Sequence, residues 1–143
     1  MRLLSYKAIC MKKIFYVFRH GETELNVKGV WQGTSANPNL NNRGKEQALE
    51  LGKKLETYGI AKIYCSPFLR AQSTAEIVNG FLKVPLEIDK NLQECCFGDA
   101  EGKTMEEVQT KWPQLMHDFL YPTHGTVNIR VKAVKVNIRF LSV

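Results

Sequence analysis

The sequence predicts an α/β fold with three layers, a mostly parallel sheet and helices on both faces. Three observations lead there. Residues 13–18, Lys-Ile-Phe-Tyr-Val-Phe, are almost continuously apolar and aromatic, as expected of a strand buried on both faces. Helical spacing of apolar residues follows over 43–58 and again after Ser66-Pro67. Short apolar runs at 61–65 and 84–88 alternate with those helices, which is the signature of strands laid parallel.

The first strand stops abruptly at Arg19-His20-Gly21-Glu22, and residues 27–42, rich in Gly, Asn and Ser and containing Pro38, read as a long loop. Ala48, Leu51, Leu55 and Tyr58 share one face of the next helix, with Asn41 or Asn42 as its cap and Tyr58-Gly59 as its end. After the 61–65 strand, Ser66 is placed to cap a helix that Pro67 opens and that runs to about Phe81. Pro85 marks the 84–88 strand as an edge. Residues 94–103 read as a loop, Thr104 and Glu107 form a capping box, and Pro113 starts a further short helix. The last stretch fits two periods. Val127, Ile129, Val131 and Ala133 alternate as in a strand, whereas Ile129, Ala133, Val136 and Phe140 suit a helix.

At 143 residues the chain is expected to be a single domain, 1–143. Met11-Lys12-Lys13 looks like a natural chain start, so residues 1–10 read as an extension, and 126–143 as a basic tail. Apolar residues at 44% and charged residues at 24% exclude disorder, collagen and coiled coil. No run approaches the roughly 18 apolar residues of a membrane span, and Lys7 interrupts the one stretch resembling an export signal. The net charge of +6 belongs to the ends. Arg2 and Lys7 lie in the first ten residues and Arg130, Lys132, Lys135 and Arg139 in 126–143, with no acid in either segment. The neutral body between them argues against nucleic acid as a partner. Cys10, Cys65, Cys95 and Cys96 make no metal-ligand spacing, and nothing indicates secretion, so a cytoplasmic location is expected.

The chemistry gathers where strands end. Arg19 and His20 leave the first strand at its carboxyl end, where α/β folds place ligands. A neutral imidazole is a competent nucleophile, and a neighbouring guanidinium neutralises an anion. Arg70 falls in the first turn of the helix after the second strand, near free amides that attract anions. Two arginines converging from adjacent strand ends describe a site for a phosphate dianion.

Four motifs in order then carry a resemblance: Arg19-His20-Gly21-Glu22-Thr23 with Asn26; Leu40-Asn41-x-x-Gly44-x-x-Gln47-Ala48; Ser66-Pro67-x-x-Arg70-Ala71-x-x-Thr74-Ala75; and Leu92-x-Glu94 followed by Phe97-Gly98-x-x-Glu101-Gly102. Together they resemble the histidine phosphatase superfamily, in particular its phosphoglycerate-mutase-like phosphatases. The resemblance implies hydrolysis of a small-molecule phosphomonoester through a phosphohistidine on His20, with Glu94 protonating the leaving group. It also implies that Arg19, Arg70, Asn26, Gln32 and Gly33 bind the phosphoryl group. No metal or other cofactor is implied, since arginines supply the positive charge.

Other residues have plainer readings. Glu22 reads equally as a structural pair and as a substrate contact; Glu101-Gly102 reads as loop architecture, and Cys95 and Cys96 as inert. Trp31 and Trp112 read as packing, with lining a substrate pocket as the alternative, and the Met105, Val108, Trp112 stripe reads as packing. The resemblance also implies a second histidine in a His-Gly pair after a later strand. His117 lies in a helical pattern and His124-Gly125 follows no strand, so neither matches. The chain therefore reads as a member cut short, with impaired turnover. Phosphoglycerate-mutase-type transfer and a non-catalytic phosphate-binding remnant are the alternatives.

Overall fold

The first apolar run folds as β1 (Lys13–Phe18), and after the turn that follows it Thr23 caps a four-residue helix, α1 (Glu24–Val27). Thr23 and Asn26 form a reciprocal capping box, so a very short helix is fixed at its start. In this computed structural model residues 13–120 and 136–141 are described. The expected extension at 1–10, residues 126–135 of the basic tail and His124 lie outside the described residues.

The loop leads into α2 (Asn42–Leu55), where the Asn41 side chain accepts from the Gly44 N–H at 2.8 Å, as its sequence position predicts. The helix ends at Leu55, earlier than Tyr58. The Tyr58 N–H turns back to the Leu55 carbonyl at 2.9 Å, and its ring meets Tyr16 of β1 edge-on at 5.2 Å. β2 (Ile63–Cys65) pairs in parallel with β3 (Leu86–Ile88), Ile63 opposite Leu86. Between them runs α3 (Leu69–Leu82).

The start of α3 corrects one expectation. Ser66 does not cap the helix: its Oγ is buried without a protein partner, and Phe68 stands at the cap position. Ser66 and Pro67 are spent turning the chain. The Leu69 N–H is instead satisfied by Asn37 Oδ1 at 2.7 Å, a cap supplied from the long loop.

The carboxyl-terminal part begins with two single-turn 3₁₀ segments, Lys90–Leu92 and Gly98–Ala100. Next come α4 (Met105–Lys111), with the Thr104–Glu107 capping box in place, and α5 (Pro113–Leu120). Of the tail, residues 136–141 are described, and the alternating positions at 127–133 lie outside the described residues. β4 (Val136–Leu141) is a strand, parallel to β1, with Lys13 opposite Val136 and Phe18 opposite Leu141.

Two apolar clusters hold these elements. Leu51 and Leu55 of α2, Ile63 and Cys65 of β2, and Ala75 and Val78 of α3 form the first, with Phe18 against it. Trp31, Ala100, Val108 and Met116 form the second, with Phe97, Trp112 and Leu115 against it. β1 departs from its expected burial on both faces: Ile14 is 48% and Val17 41% exposed. Tyr16 and Phe18, two apart on one face, carry its side-chain packing. A run of apolar residues records what a strand can bury, and among the described residues too few elements pack on β1 to cover both sides.

Leu55 is 1% exposed between α2, β2 and α3. Leu55→Ala is therefore expected to lower unfolding stability by about 3 kcal/mol, measured as a lower urea midpoint with an unchanged slope.

Candidate active site

β1 ends on Phe18, and the next residues bend at once into the turn Arg19-His20-Gly21-Glu22. That turn lies against the start of α2 with no side chain between. A Cβ on Gly21 would collide with the Gly44 carbonyl, and a Cβ on Gly44 with the Glu22 backbone. Hydrogen bonds seal the contact. Asn41 N–H donates to the Glu22 carbonyl at 3.0 Å, Asn41 Nδ2 to Glu22 Oε1 at 2.8 Å, and Glu22 N–H to Gln47 Oε1 at 2.8 Å.

A buried hydroxyl ties the same turn to α3. Thr74 Oγ1 accepts from the Gly21 N–H at 3.0 Å and donates to the Arg70 carbonyl at 2.7 Å. The turn carrying His20 and the helical turn carrying Arg70 are thus coupled through one atom.

His20 Nδ1 lies 2.7 Å from the Gly21 carbonyl. A carbonyl oxygen only accepts, so Nδ1 carries the proton and the Nε2 lone pair is left for other chemistry. Burial lowers the His20 pKa below its ordinary 6.5; the Gly21 bond opposes this, and the Arg19 and Arg70 charges reinforce it. The imidazole is therefore neutral at neutral pH.

Arg70 is 3% exposed. It donates to the Ala36 carbonyl at 3.1 Å and the Gly33 carbonyl at 3.2 Å, and its guanidinium lies over the Phe68 ring. Its charge therefore comes with a second task, holding the 33–36 loop. Burial lowers its pKa, but a guanidinium stays charged. Gln32 Nε2 donates to Thr23 Oγ1 at 3.1 Å. Thr23 passes its own proton to Asn26 Oδ1 at 2.9 Å, so the Gln32 amide must present its nitrogen to Thr23.

Glu101 ties the 33–35 loop to Phe97. Its carboxylate accepts from the N–H groups of Thr34, Ser35 and Phe97 at 2.9, 2.6 and 2.9 Å. Ser35, then the Thr34 and Phe97 amides, hold its pKa down at about 2. Glu101 is the architectural group its sequence context indicates. Gly33, at φ +50°, lies where any Cβ would strike this carboxylate.

All seven residues singled out from the sequence line one open cavity of about 880 Å³: Arg19, His20, Asn26, Gln32, Gly33, Arg70 and Glu94. Glu22 and Gln47 join them, which gives Glu22 both a structural pair and a place on the wall. Glu94 is exposed and accepts from the Cys95 N–H at 3.0 Å. The sequence reading missed the apolar wall of Met105, Phe97 and Phe119. Phe119 sits at the end of an amphipathic helix, and nothing in its spacing separates a pocket residue from a surface one. His117 is exposed beside Asp118 and is not among the cavity residues. Among the described residues no cluster of three His, Cys, Asp or Glu side chains could hold a metal ion, and no helix is long and apolar enough to cross a membrane.

A parallel α/β frame with Arg19 and His20 just after one strand and Arg70 in the helix after another defines a class. The sequence profile of the histidine phosphatase superfamily (branch 1) matches residues 15–134, and the chain belongs to that superfamily. Similar proteins include the uncharacterized phosphatase PhoE of Bacillus subtilis, 38% identical over 109 residues, covering 76% of this chain and 54% of the relative. A 2,3-bisphosphoglycerate-dependent phosphoglycerate mutase of Thermoplasma acidophilum is 35% identical over 118 residues, 82% of this chain and 55% of the relative. Among solved structures, Bacillus stearothermophilus YhfR superposes with a TM-score of 0.65 at 40% identity, over 75% of this chain and 53% of that one. The chain spans about half the length of these relatives.

Thr74→Val removes the acceptor of the buried Gly21 N–H, and an unsatisfied buried amide costs about 1–3 kcal/mol. Urea unfolding is expected to show a loss of that size, and Thr74→Ser to restore most of it. The Glu101 latch makes a pH prediction. Its folded-state pKa of about 2 lies below the ordinary 4.5, so its contribution is complete above about pH 4.5 and is lost as pH falls toward 2. Melting temperatures of the wild type should converge on those of Glu101→Gln across that interval.

Proposed function

We propose that the chain is a phosphomonoester hydrolase acting through a phosphohistidine on His20. The observation that carries this reading is the shared cavity of His20, Arg19, Arg70 and Glu94, with His20 Nδ1 bonded to the Gly21 carbonyl. The imidazole is then in the tautomer whose Nε2 lone pair attacks phosphorus. As the Nε2–P bond forms and the P–O ester bond breaks, the Gly21 carbonyl stabilises the positive charge developing on the ring. Arg19 and Arg70 hold the phosphoryl oxygens, and the amide groups of Asn26 and Gln32 and the Gly33 backbone complete the cradle.

The leaving alkoxide takes a proton from Glu94. A dianion seated between the arginines favours the protonated form of a carboxyl facing it. In the second half, water attacks phosphorus, the N–P bond breaks, and Glu94 takes the water's proton, restoring both groups.

The substrate is a small phosphorylated molecule. Likeness to a phosphoglycerate mutase supports a second reading, in which a hydroxyl rather than water accepts the phosphoryl group. Among the described cavity residues His20 is the one histidine. Turnover is expected to lie about 10²- to 10³-fold below that of relatives that place a second donor on the phosphoryl group, and His124→Ala, outside the described residues, to change it little.

Incubation with a labelled phosphodonor should give acid-labile label on the wild type and none on His20→Ala. Phosphate binding without any label would instead indicate a non-catalytic remnant. Because the His20 pKa lies below 6.5, the nucleophile stays neutral as pH falls past that value. The acidic limb of kcat/KM should accordingly fall below pH 6.5.

A further inference from the structure

Behind the His20 ring stands a line of hydrogen bonds. Nδ1 donates to the Gly21 carbonyl at 2.7 Å. That carbonyl belongs to the same peptide unit as the Glu22 N–H, which donates to Gln47 Oε1 at 2.8 Å. A backbone N–H only donates, so the Gln47 side chain must turn its oxygen to it. Both donors therefore point away from the ring, imidazole N–H to carbonyl and then amide N–H to side-chain oxygen. The flanking backbone groups are held by other residues, the Gly21 N–H by Thr74 Oγ1 and the Glu22 carbonyl by the Asn41 N–H. Gln47 grips the unit whose carbonyl meets the ring.

This grip acts on orientation and on charge. A trans peptide unit is planar, with its C=O and N–H on opposite edges, so its carbonyl cannot turn without swinging its N–H. Pinning the Glu22 N–H on Gln47 thus fixes the direction from which the Gly21 carbonyl meets Nδ1, and that bond decides which ring nitrogen keeps the proton. The anchor is itself well placed. Gln47 lies one turn beyond Gly44 on α2, and the Gly44 backbone meets the Glu22 backbone too closely to admit a Cβ. One helix face supplies both the close approach and the acceptor. Aligned hydrogen bonds also polarise one another. A positive charge on the imidazole would meet the negative end of the peptide dipole, reinforced from behind by the Gln47 oxygen.

We propose that Gln47 is a positioning residue for His20: through the Gly21–Glu22 peptide it holds the ring proton on Nδ1 and so sets the rate at which Nε2 takes up a phosphoryl group. The rate rests on the phosphohistidine reading of this cavity; the tautomer does not. With radiolabelled phenyl phosphate as donor, the Nε2–P bond forms, the P–O bond to the phenyl group breaks, and the phenolate oxygen takes a proton from Glu94. A Gln47 that merely satisfied an amide would affect stability and leave the ring unchanged.

Nitrogen NMR of the full chain reads the tautomer, with the His20 signals assigned by their loss in His20→Ala. At a pH where the ring is neutral, the wild type is expected to carry its proton on Nδ1, and Gln47→Leu to shift a measurable share of rings to the Nε2–H form. Gln47→Glu keeps an oxygen at the same reach and should keep the proton on Nδ1. Arg19, Arg70 and Glu94, whose charges act on the ring, are untouched in both variants. At saturating phenyl phosphate, Gln47→Leu should label about tenfold more slowly than the wild type, the order of effect of one lost hydrogen bond, and Gln47→Glu should recover about half of the wild-type rate or more. Saturation removes any weakening of donor binding by the added carboxylate. Gln47→Met, longer and closer in shape, takes the place of a Gln47→Leu that does not fold. Rings that stay in the Nδ1–H form without the Gln47 oxygen would overturn the proposal, as would a Gln47→Glu chain that labels as slowly as Gln47→Leu. An unlabelled wild type would overturn the phosphohistidine reading, and the tautomer spectra would still judge the link from Gln47 to the ring.

Discussion

The site depends on two backbones approaching more closely than any side chain permits. Gly21 and Gly44 lie against one another where the turn after β1 meets the start of α2. That contact aims His20 into the cavity, and it turns Glu22 toward Asn41 and Gln47. Because the approach is backbone to backbone, it has little freedom to relax. The position of the imidazole is therefore set by the packing of α2 and by Thr74 of α3.

Around this contact, charge is arranged by backbone as much as by side chains. The Gly21 carbonyl fixes the His20 tautomer, three amides fix the Glu101 carboxylate, and two carbonyls grip Arg70. The long loop is consequently held from both ends of the electrostatic scale. An anion, Glu101, collects its N–H groups and a cation, Arg70, collects its C=O groups. Such a loop orders itself without a regular secondary structure.

Much of this was legible beforehand. The capping box at Thr104, the cap at Asn41 and the helix after Pro113 follow from local rules, and local rules are what a short window of sequence records. His20, Arg19 and Arg70 stood out because charged and nucleophilic residues at strand ends seldom serve packing, whereas Glu94 was named through the family resemblance alone. The misreadings are tertiary. Ser66 stood in the right place to cap α3, but Asn37, 32 residues away, took the role. The apolar run of β1 could not reveal how many elements would cover it. Phe119 looked like any residue at a helix end until Trp31 and Phe97 were found beneath it.

The pairing of β1 with β4 bears on the order in which the molecule assembles. The strand that leads into His20 spans Lys13–Phe18, and its hydrogen-bonded partner begins at Val136. Helix α2, helix α3 and the β2–β3 ladder are joined by short connections and can condense early, since closing a short loop costs little entropy. β1 must wait for a partner at the far end of the chain, and contacts of such separation slow folding. During synthesis its edge therefore stays open until residues 136–141 have emerged. The apolar strand that leads to His20 is then the segment most exposed to pairing with another molecule.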